Sequence, residues 1–316
     1  MGGSLWHCFD IQTGEPISDP RRPWAIEGYP HAVARLADGR SIIISACDDG
    51  IRRWDATNGA ECLRHSDENT TTIWDVAVAH LPDDGRAIIA GAGHDGLVYR
   101  WDAATGAACG EPLRGHTISV KAIAAATRPE DGSAVLVSGC ERGEVRCWDV
   151  QNGEQIGETV QVCGDMIREL EVVELCDGSR LLVCLDAAGN LYRRDLFSAR
   201  ALDEPIKVGP WPTGLSTYID PDGRPIADIS LACDNAHGIA HSNSVTRWRL
   251  DDGTRVDDVS SPLPGIGTIG VFPVGERILE VIVSAPGTVT IRAQVLSAGA
   301  GAGAGARAKA RESLEP

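Results

Sequence analysis

A Trp-Asp pair recurs at Trp54-Asp55, Trp101-Asp102 and Trp148-Asp149, with 47 residues between successive copies. Each pair follows a glycine (Gly50, Gly96, Gly143) and precedes another (Gly59, Gly106, Gly153). Backwards, Phe9-Asp10 followed by Gly14 fits with Phe9 in the Trp place; forwards, the pattern decays through Arg194-Asp195, Trp248-Arg249 and Arg292-Ala293. A second, independent period runs through Asp38-Gly39, Asp84-Gly85, Asp131-Gly132, Asp177-Gly178 and Asp222-Gly223, with Gly275 as a degenerate sixth. Self-similarity at such a period constrains the chain to an array of one small supersecondary unit.

The unit reads as strand, turn, strand, turn, strand, turn. In repeat two, Ile73–Ala79 is the first strand, Ala87–Gly91 the second and Leu97–Trp101 the third, with a short outer strand near Cys109–Leu113. Asp-Gly between apolar runs is a hairpin signal. The second strands, Ile42-Ile43-Ile44, Ala87-Ile88-Ile89-Ala90, Ala134-Val135-Leu136-Val137 and Leu181-Leu182-Val183-Cys184, are continuously apolar, so both of their faces should be buried. One small sheet cannot hide both faces alone; copies of itself packed on either side can.

These residues resemble the WD40 repeat family. The carriers are the three Trp-Asp pairs, the Ser45–Trp54, Ala90–Trp101 and Ser138–Trp148 segments, and Gly115-His116 ahead of repeat three. The resemblance covers roughly residues 4–296, is strong in the middle three repeats, and is similar to bacterial, including actinobacterial, members. It implies an all-β, WD40-like β-propeller over residues 1–297. Six full four-stranded repeats run from Trp24 to Val295. They follow an N-terminal half-blade made of a third strand (Leu5–Phe9) and an outer strand near Glu15–Ile17. Seven-fold geometry is favoured over six-fold closure, and a piece of a longer protein is the third possibility. Trp54, Asp55, Trp101, Asp102, Trp148, Asp149 and Trp248 are the structural repeat residues. In the family a His, a Ser or Thr, an Asp and the Trp form a buried hydrogen-bonded tetrad. Here no repeat has all four: repeat three has His116, Ser138 and Trp148 but Arg142 where Asp belongs, so apolar packing should carry the blades. The tail 298–316 is Gly/Ala-rich with nothing to bury, and is expected to be disordered.

Composition narrows function. The net charge is −16 and no basic stripe offsets it, which argues against nucleic acid and anionic membranes. No apolar run approaches 18 residues and no signal peptide is read at the start, so a cytoplasmic protein is expected. Ten cysteines occur without any C-x2-C. Cys62 and Cys109 share a repeat position with Ile17 and Ile156, so they read as small core fillers, Cys47 and Cys140 less so.

Catalytic constellations are missing. His237 and His241 lack the helical metalloprotease pattern, the Asp pairs sit at turns, and no nucleophile elbow or phosphate loop is present. No catalytic, cofactor or metal residue is assigned. What remains is recognition by a surface. The resemblance implies that the loops entering the first strands and those joining second to third share one face around a channel. By position that face holds Tyr29, Asp48, Trp74, His94, Glu141, Arg142, Arg168 and Trp211, together with His116. Aromatic and Arg residues are what protein interfaces favour. A noncatalytic, monomeric scaffold or sensor module binding a protein partner is the expectation. The alternatives are an enzyme or small-ligand binder at the channel mouth, which needs titratable groups converging from different blades, and a propeller fragment of a larger signalling protein.

Overall fold

The computed structural model describes residues 4–6, 24–26, 29–56, 60–65, 71–210, 212–220, 222–232, 243–256, 266–274, 277–284 and 288–295. Among them there is no helix, and the strands form a two-stranded N-terminal ladder, Ser4–Trp6 with Trp24–Ile26, followed by six consecutive sheets. Sheet I comprises Tyr29–Arg35, Ser41–Cys47, Gly50–Asp55 and Glu61–His65. Sheet II comprises Ile73–His80, Ala87–Gly93 and Val98–Asp102, its fourth strand reduced to the bridges Val98–Leu113 and Trp101–Ala108. Sheet III comprises Val120–Thr127, Ala134–Cys140, Glu144–Asp149 and Gln155–Gln161. Sheet IV comprises Ile167–Glu174, Arg180–Asp186, Asn190–Asp195 and Ile206–Lys207. Sheet V comprises Pro212–Ile219, Pro225–Ala232, Asn243–Arg249 and Arg255–Val256. Sheet VI comprises Ile266–Val274, Arg277–Ser284 and Thr288–Val295. Within every sheet the strands pair antiparallel in chain order.

Local chemistry sets these hairpins. Asp38, Asp84, Asp131 and Asp177 each accept the backbone N–H two residues on (Arg40, Arg86, Ser133, Ser179). The glycine between holds a positive φ of 87, 68, 70 and 83° in turn. That is the Asx-turn geometry for which Asp-Gly is suited. The Trp-Asp pair divides its labour. Trp54, Trp101 and Trp148 are buried. Asp102 accepts the N–H groups of Ala104 and Thr105, and Asp149 those of Gln151 and Asn152, folding the following turn.

The second strands of sheets II, III and IV are buried along their whole length. Four apolar clusters lie between neighbouring sheets rather than in one centre. Ile44, Ile51 and Ala34 of sheet I meet Ile89, Val76 and Trp101 of sheet II. Ile88 and Val98 of sheet II meet Ile123, Leu136 and Trp148 of sheet III. Val137 and Val145 meet Ile167, Leu170 and Leu182, and Val183 and Leu185 meet Ile229 and Leu250. Each large aliphatic side chain so buried contributes about 1.5–3 kcal/mol. The first strands of successive sheets run beside one another from Tyr29–Arg35 through to Ile266–Val274.

Buried arginines also join the sheets. Arg53 Nη1 donates to the Ala103 carbonyl (2.6 Å), Arg100 Nη1 to Val150 (2.7 Å) and Arg193 Nη1 to Leu250 (3.0 Å). Each reaches from the third strand of one sheet to the end of the third strand of the next. Gly106 and Gly153 make room: a Cβ at either would lie 2.6 Å from the incoming guanidinium. Between sheets III and IV the equivalent residue is Cys147, which packs against the shared apolar cluster instead.

Some expectations change. Ser4–Trp6 pairs with Trp24–Ile26, and the outer strand expected near Glu15–Ile17 lies outside the described residues along with Phe9 and Gly14. Trp24–Ile26 therefore belongs to this N-terminal ladder, and sheet I begins at Tyr29. Cys62 is exposed and Cys109 half-buried, whereas Cys140 is fully buried. Cys62 stands on the fourth strand of sheet I, whereas Cys109, at the same repeat position, packs against the cluster between sheets II and III. All eight described cysteines are free thiols. His116 is buried and so leaves the proposed outer face. Trp248 is only partly buried, donating to Thr246 Oγ1 at 2.9 Å. Residues 296–316, which include the Gly/Ala tail, lie outside the described residues.

Candidate protein-docking face

Each of the first strands of sheets I to V carries a register shift near its start. In sheets II, III and IV the shifted residue is Trp74 (between Ile73 and Asp75), Lys121 (between Val120 and Ala122) and Arg168 (between Ile167 and Glu169). A bulge re-aims the side chain it displaces. These three residues are thereby presented at the same end of neighbouring strands.

Trp74 is 42% exposed. Its indole N–H donates to His94 Nδ1 (3.3 Å), and the His94 ring meets it edge-on at 5.8 Å. The Lys121 ammonium sits 3.6 Å from the indole centroid and 3.0 Å from Glu141. Trp74 and His94 come from sheet II, Lys121 and Glu141 from sheet III. A cation over an indole face is worth roughly 0.5–2 kcal/mol, so the exposed ring is held in place without being covered. Asp48, Arg142 and Arg168 are exposed. The Asp48 carbonyl accepts from Thr72 Oγ1 (3.4 Å), and the Arg142 carbonyl accepts from Gln161 Nε2 (2.6 Å).

Of the residues expected on this face, Trp74, His94 and Glu141 are brought into one cluster, with Asp48, Arg142 and Arg168 at equivalent loop and strand-start positions. Tyr29 is in the first strand of sheet I opposite Ala46, but its side chain and the whole of Trp211 lie outside the described residues. Lys121 was missed by the sequence reading. The signal was present: 47 residues separate Trp74 from Lys121 and Lys121 from Arg168.

Beneath this face repeat three carries its partial tetrad. Trp148 Nε1–H donates to Ser138 Oγ (2.8 Å), and His116 Nε2 lies 2.7 Å from the same oxygen. Burial, aided by the charge of Arg146, holds the His116 imidazole down to about 4, so it is neutral near pH 7. In sheet I, Trp54 Nε1–H donates to Ser45 Oγ at 3.0 Å.

A second polar group lies deeper on the first strands. Asp75 accepts backbone N–H bonds from Val76 and, in the next sheet, from Ile123, both at 2.8 Å. Burial pushes its carboxyl up to about 7 against those bonds. Glu169 and Glu171 of sheet IV are raised to about 8, first by burial and then by the charge of Asp75. The charge of Asp75 in sheet II thus reaches the Glu169 and Glu171 carboxyls of sheet IV. Neither family models nor curated proteins match the chain.

Proposed function

We propose that the six sheets close around a common axis into a WD40-like β-propeller of seven-fold geometry, and that this ring is a noncatalytic module which docks a protein on the Trp74 face. Pairing of Ser4–Trp6 with Trp24–Ile26, apart from sheet VI, supports a separate N-terminal half-blade. The free thiols suit a reducing cytoplasm. No helix among the described residues is long and apolar enough to cross a membrane.

The observation that carries the docking reading is Trp74. A large indole that the fold could have buried is instead held outward by Lys121 and His94, and Arg142 and Arg168 are exposed on the next two sheets. Trp and Arg are the residues that dominate binding energy at protein interfaces. The partner would place an apolar side chain against the indole and carboxylates against the arginines. The test is parallel affinity capture with the wild type, Trp74→Ala, Arg168→Glu and Phe197→Ser. Phe197 is 37% exposed in the turn after the third strand of sheet IV, at the opposite end of that strand. A partner retained by Phe197→Ser and lost by both of the others supports the reading. A partner indifferent to Trp74 and Arg168 removes it.

Asp75, Glu169 and Glu171 favour a second reading, a small cationic ligand taken up at the axis. Titration calorimetry with organic polyamines should then show saturable binding that Glu169→Gln with Glu171→Gln abolishes. No saturable heat, or heat unchanged by the double variant, removes it.

A further inference from the structure

The turn between second and third strands holds a polar slot that neighbouring sheets fill alike. In sheet IV, Asp186 accepts from the Asn190 N–H (2.8 Å) and from the Tyr192 hydroxyl (3.1 Å). In sheet II the same position is Gly93. A Cβ there would fall 2.5 Å from Asp95 Oδ1, because Asp95 delivers its carboxylate into that space. Asp95 accepts from the Leu97 N–H (3.1 Å) and the Tyr99 hydroxyl (2.6 Å). Carboxylate and phenol satisfy each other in both sheets.

Sheet III breaks this pattern three times over. Cys140 stands at the position of Gly93 and Asp186, Arg142 at that of Asp95, and Arg146 at that of the two tyrosines. Arg146 turns away to Gln155 Oε1 (2.5 Å). The slot is left with the Cys140 thiol, the His116 imidazole and the Glu144 carboxylate. One nitrogen, the sulfur and one oxygen all lie within 4.8 Å of one another. His116 is 7% exposed and Cys140 fully buried. His116 Nε2 is engaged with Ser138, and its Nδ1 is buried with no hydrogen-bond partner. A buried polar atom without a partner is destabilising, and this one points to a missing ligand.

We infer that His116, Cys140 and Glu144 form a binding site for a late first-row divalent cation, with zinc the best match. Imidazole, thiolate and carboxylate are the donors zinc takes, and three protein ligands with one open position is a common zinc arrangement. Ligand atoms around tetrahedral zinc stand about 3.5 Å apart, so small side-chain rotations close the set. His116 ligates through Nδ1 in the tautomer whose Nε2–H donates to Ser138 Oγ, and that bond fixes the ring. Cys140 gives up its thiol proton to solvent as the metal–sulfur bond forms. The Arg142 N–H already reaches Cys140 Sγ at 3.4 Å and supports the thiolate. The nearby Arg146 charge opposes a cation. The thiolate and the Glu144 carboxylate bring two negative charges against the metal's two positive ones. Glu144 is the partly exposed member and marks the entry side.

The test uses the full chain, stripped with a chelator and titrated with Co²⁺ and then Zn²⁺. The wild type should bind one Co²⁺ with a thiolate-to-cobalt charge-transfer band in the near ultraviolet, and one equivalent of Zn²⁺ should bleach it. Cys140→Ser should lose the band. Glu144→Gln should keep the band but weaken the apparent Kd by about tenfold or more. Circular dichroism of the metal-free variants checks folding. If Cys140→Ser does not fold, Glu144→Gln, at a partly exposed position, still decides the matter. A wild type without the band, a band that survives Cys140→Ser, or an affinity indifferent to Glu144→Gln overturns the assignment.

Discussion

Replacing Arg100 by Met tests how the sheets are joined. The substitution keeps an unbranched stem and removes the guanidinium. What is lost is the 2.7 Å bond from Nη1 to the Val150 carbonyl, and a hydrogen bond from a charged donor is worth about 1.5–3 kcal/mol. What is relieved is the burial of a charge only 7% exposed whose Nε has no partner. That desolvation, which also holds the guanidinium below its usual range, offsets about 1 kcal/mol. The net expectation is a loss of about 0.5–2 kcal/mol. Gly153→Ala adds the discriminating half. Gly153 has φ 79°, where a side chain costs about 1 kcal/mol, and its new Cβ would meet Arg100 Nη2 at 2.6 Å and Leu113 Cδ2 at 2.8 Å. Without the guanidinium the first of these contacts disappears. Gly153→Ala should therefore cost about 1 kcal/mol less in the Arg100→Met background than in the wild type. Urea unfolding of the four proteins, followed by circular dichroism and by tryptophan fluorescence, measures the cycle. Additivity within about 0.3 kcal/mol, or a stabilised Arg100→Met protein, would refute the bridge as a structural element.

Other outcomes follow from the same packing. Trp101→Ala should destabilise by roughly 3–5 kcal/mol in thermal or urea melts, because the ring is 6% exposed between sheets I and II; a loss below about 1 kcal/mol would deny it a core role. Stability should also fall as pH rises from about 5 to about 9. Glu169 and Glu171 hold protons in the folded chain up to about 8 that the unfolded chain releases near 4.5. Their contribution is complete below the unfolded value and is lost through the folded one. Glu169→Gln with Glu171→Gln should flatten that slope, by on the order of 1–3 kcal/mol in total once solvent access and mutual coupling are allowed for; melts at pH 6 and pH 9 compare the two proteins. His116 acts in the opposite sense, its neutral burial losing stability as pH falls from 6.5 towards about 4.

The period told where strands and turns fall because each unit repeats a local instruction: an Asp to cap the turn, a Gly for its positive φ, an apolar run for a strand covered on both sides. It did not tell what meets across the gap between sheets. Arg53 and Arg100 alternate with Cys147 at one repeat position, a pattern visible in the residues. Their role is visible only when a carbonyl 50 residues away lies beside them. Cys62 read as core because its position alternates with Ile, yet it stands exposed on the fourth strand of sheet I, while Cys109 at the same position packs against the apolar cluster between sheets II and III. Lys121 was overlooked because a lone Lys within an apolar strand reads as solvated. The bulge makes it the partner of Trp74 in the next sheet. The carboxylates Asp75, Glu169 and Glu171 were hidden because charge in a first strand has meaning only once the first strands of successive sheets lie side by side.

The proposed closure around a common axis is what a distance measurement can decide. Spin labels introduced through a genetically encoded amino acid at Val33, 61% exposed in the first strand of sheet I, and at Thr268, in the first strand of sheet VI, report the gap between the two ends of the array. Packed sheets stand about 10 Å apart, so five successive steps in an open stack would separate the labels by about 50 Å. Pulsed electron resonance on the full chain should give a single distance below about 25 Å, as a closed ring requires; a distribution centred near 50 Å would contradict it.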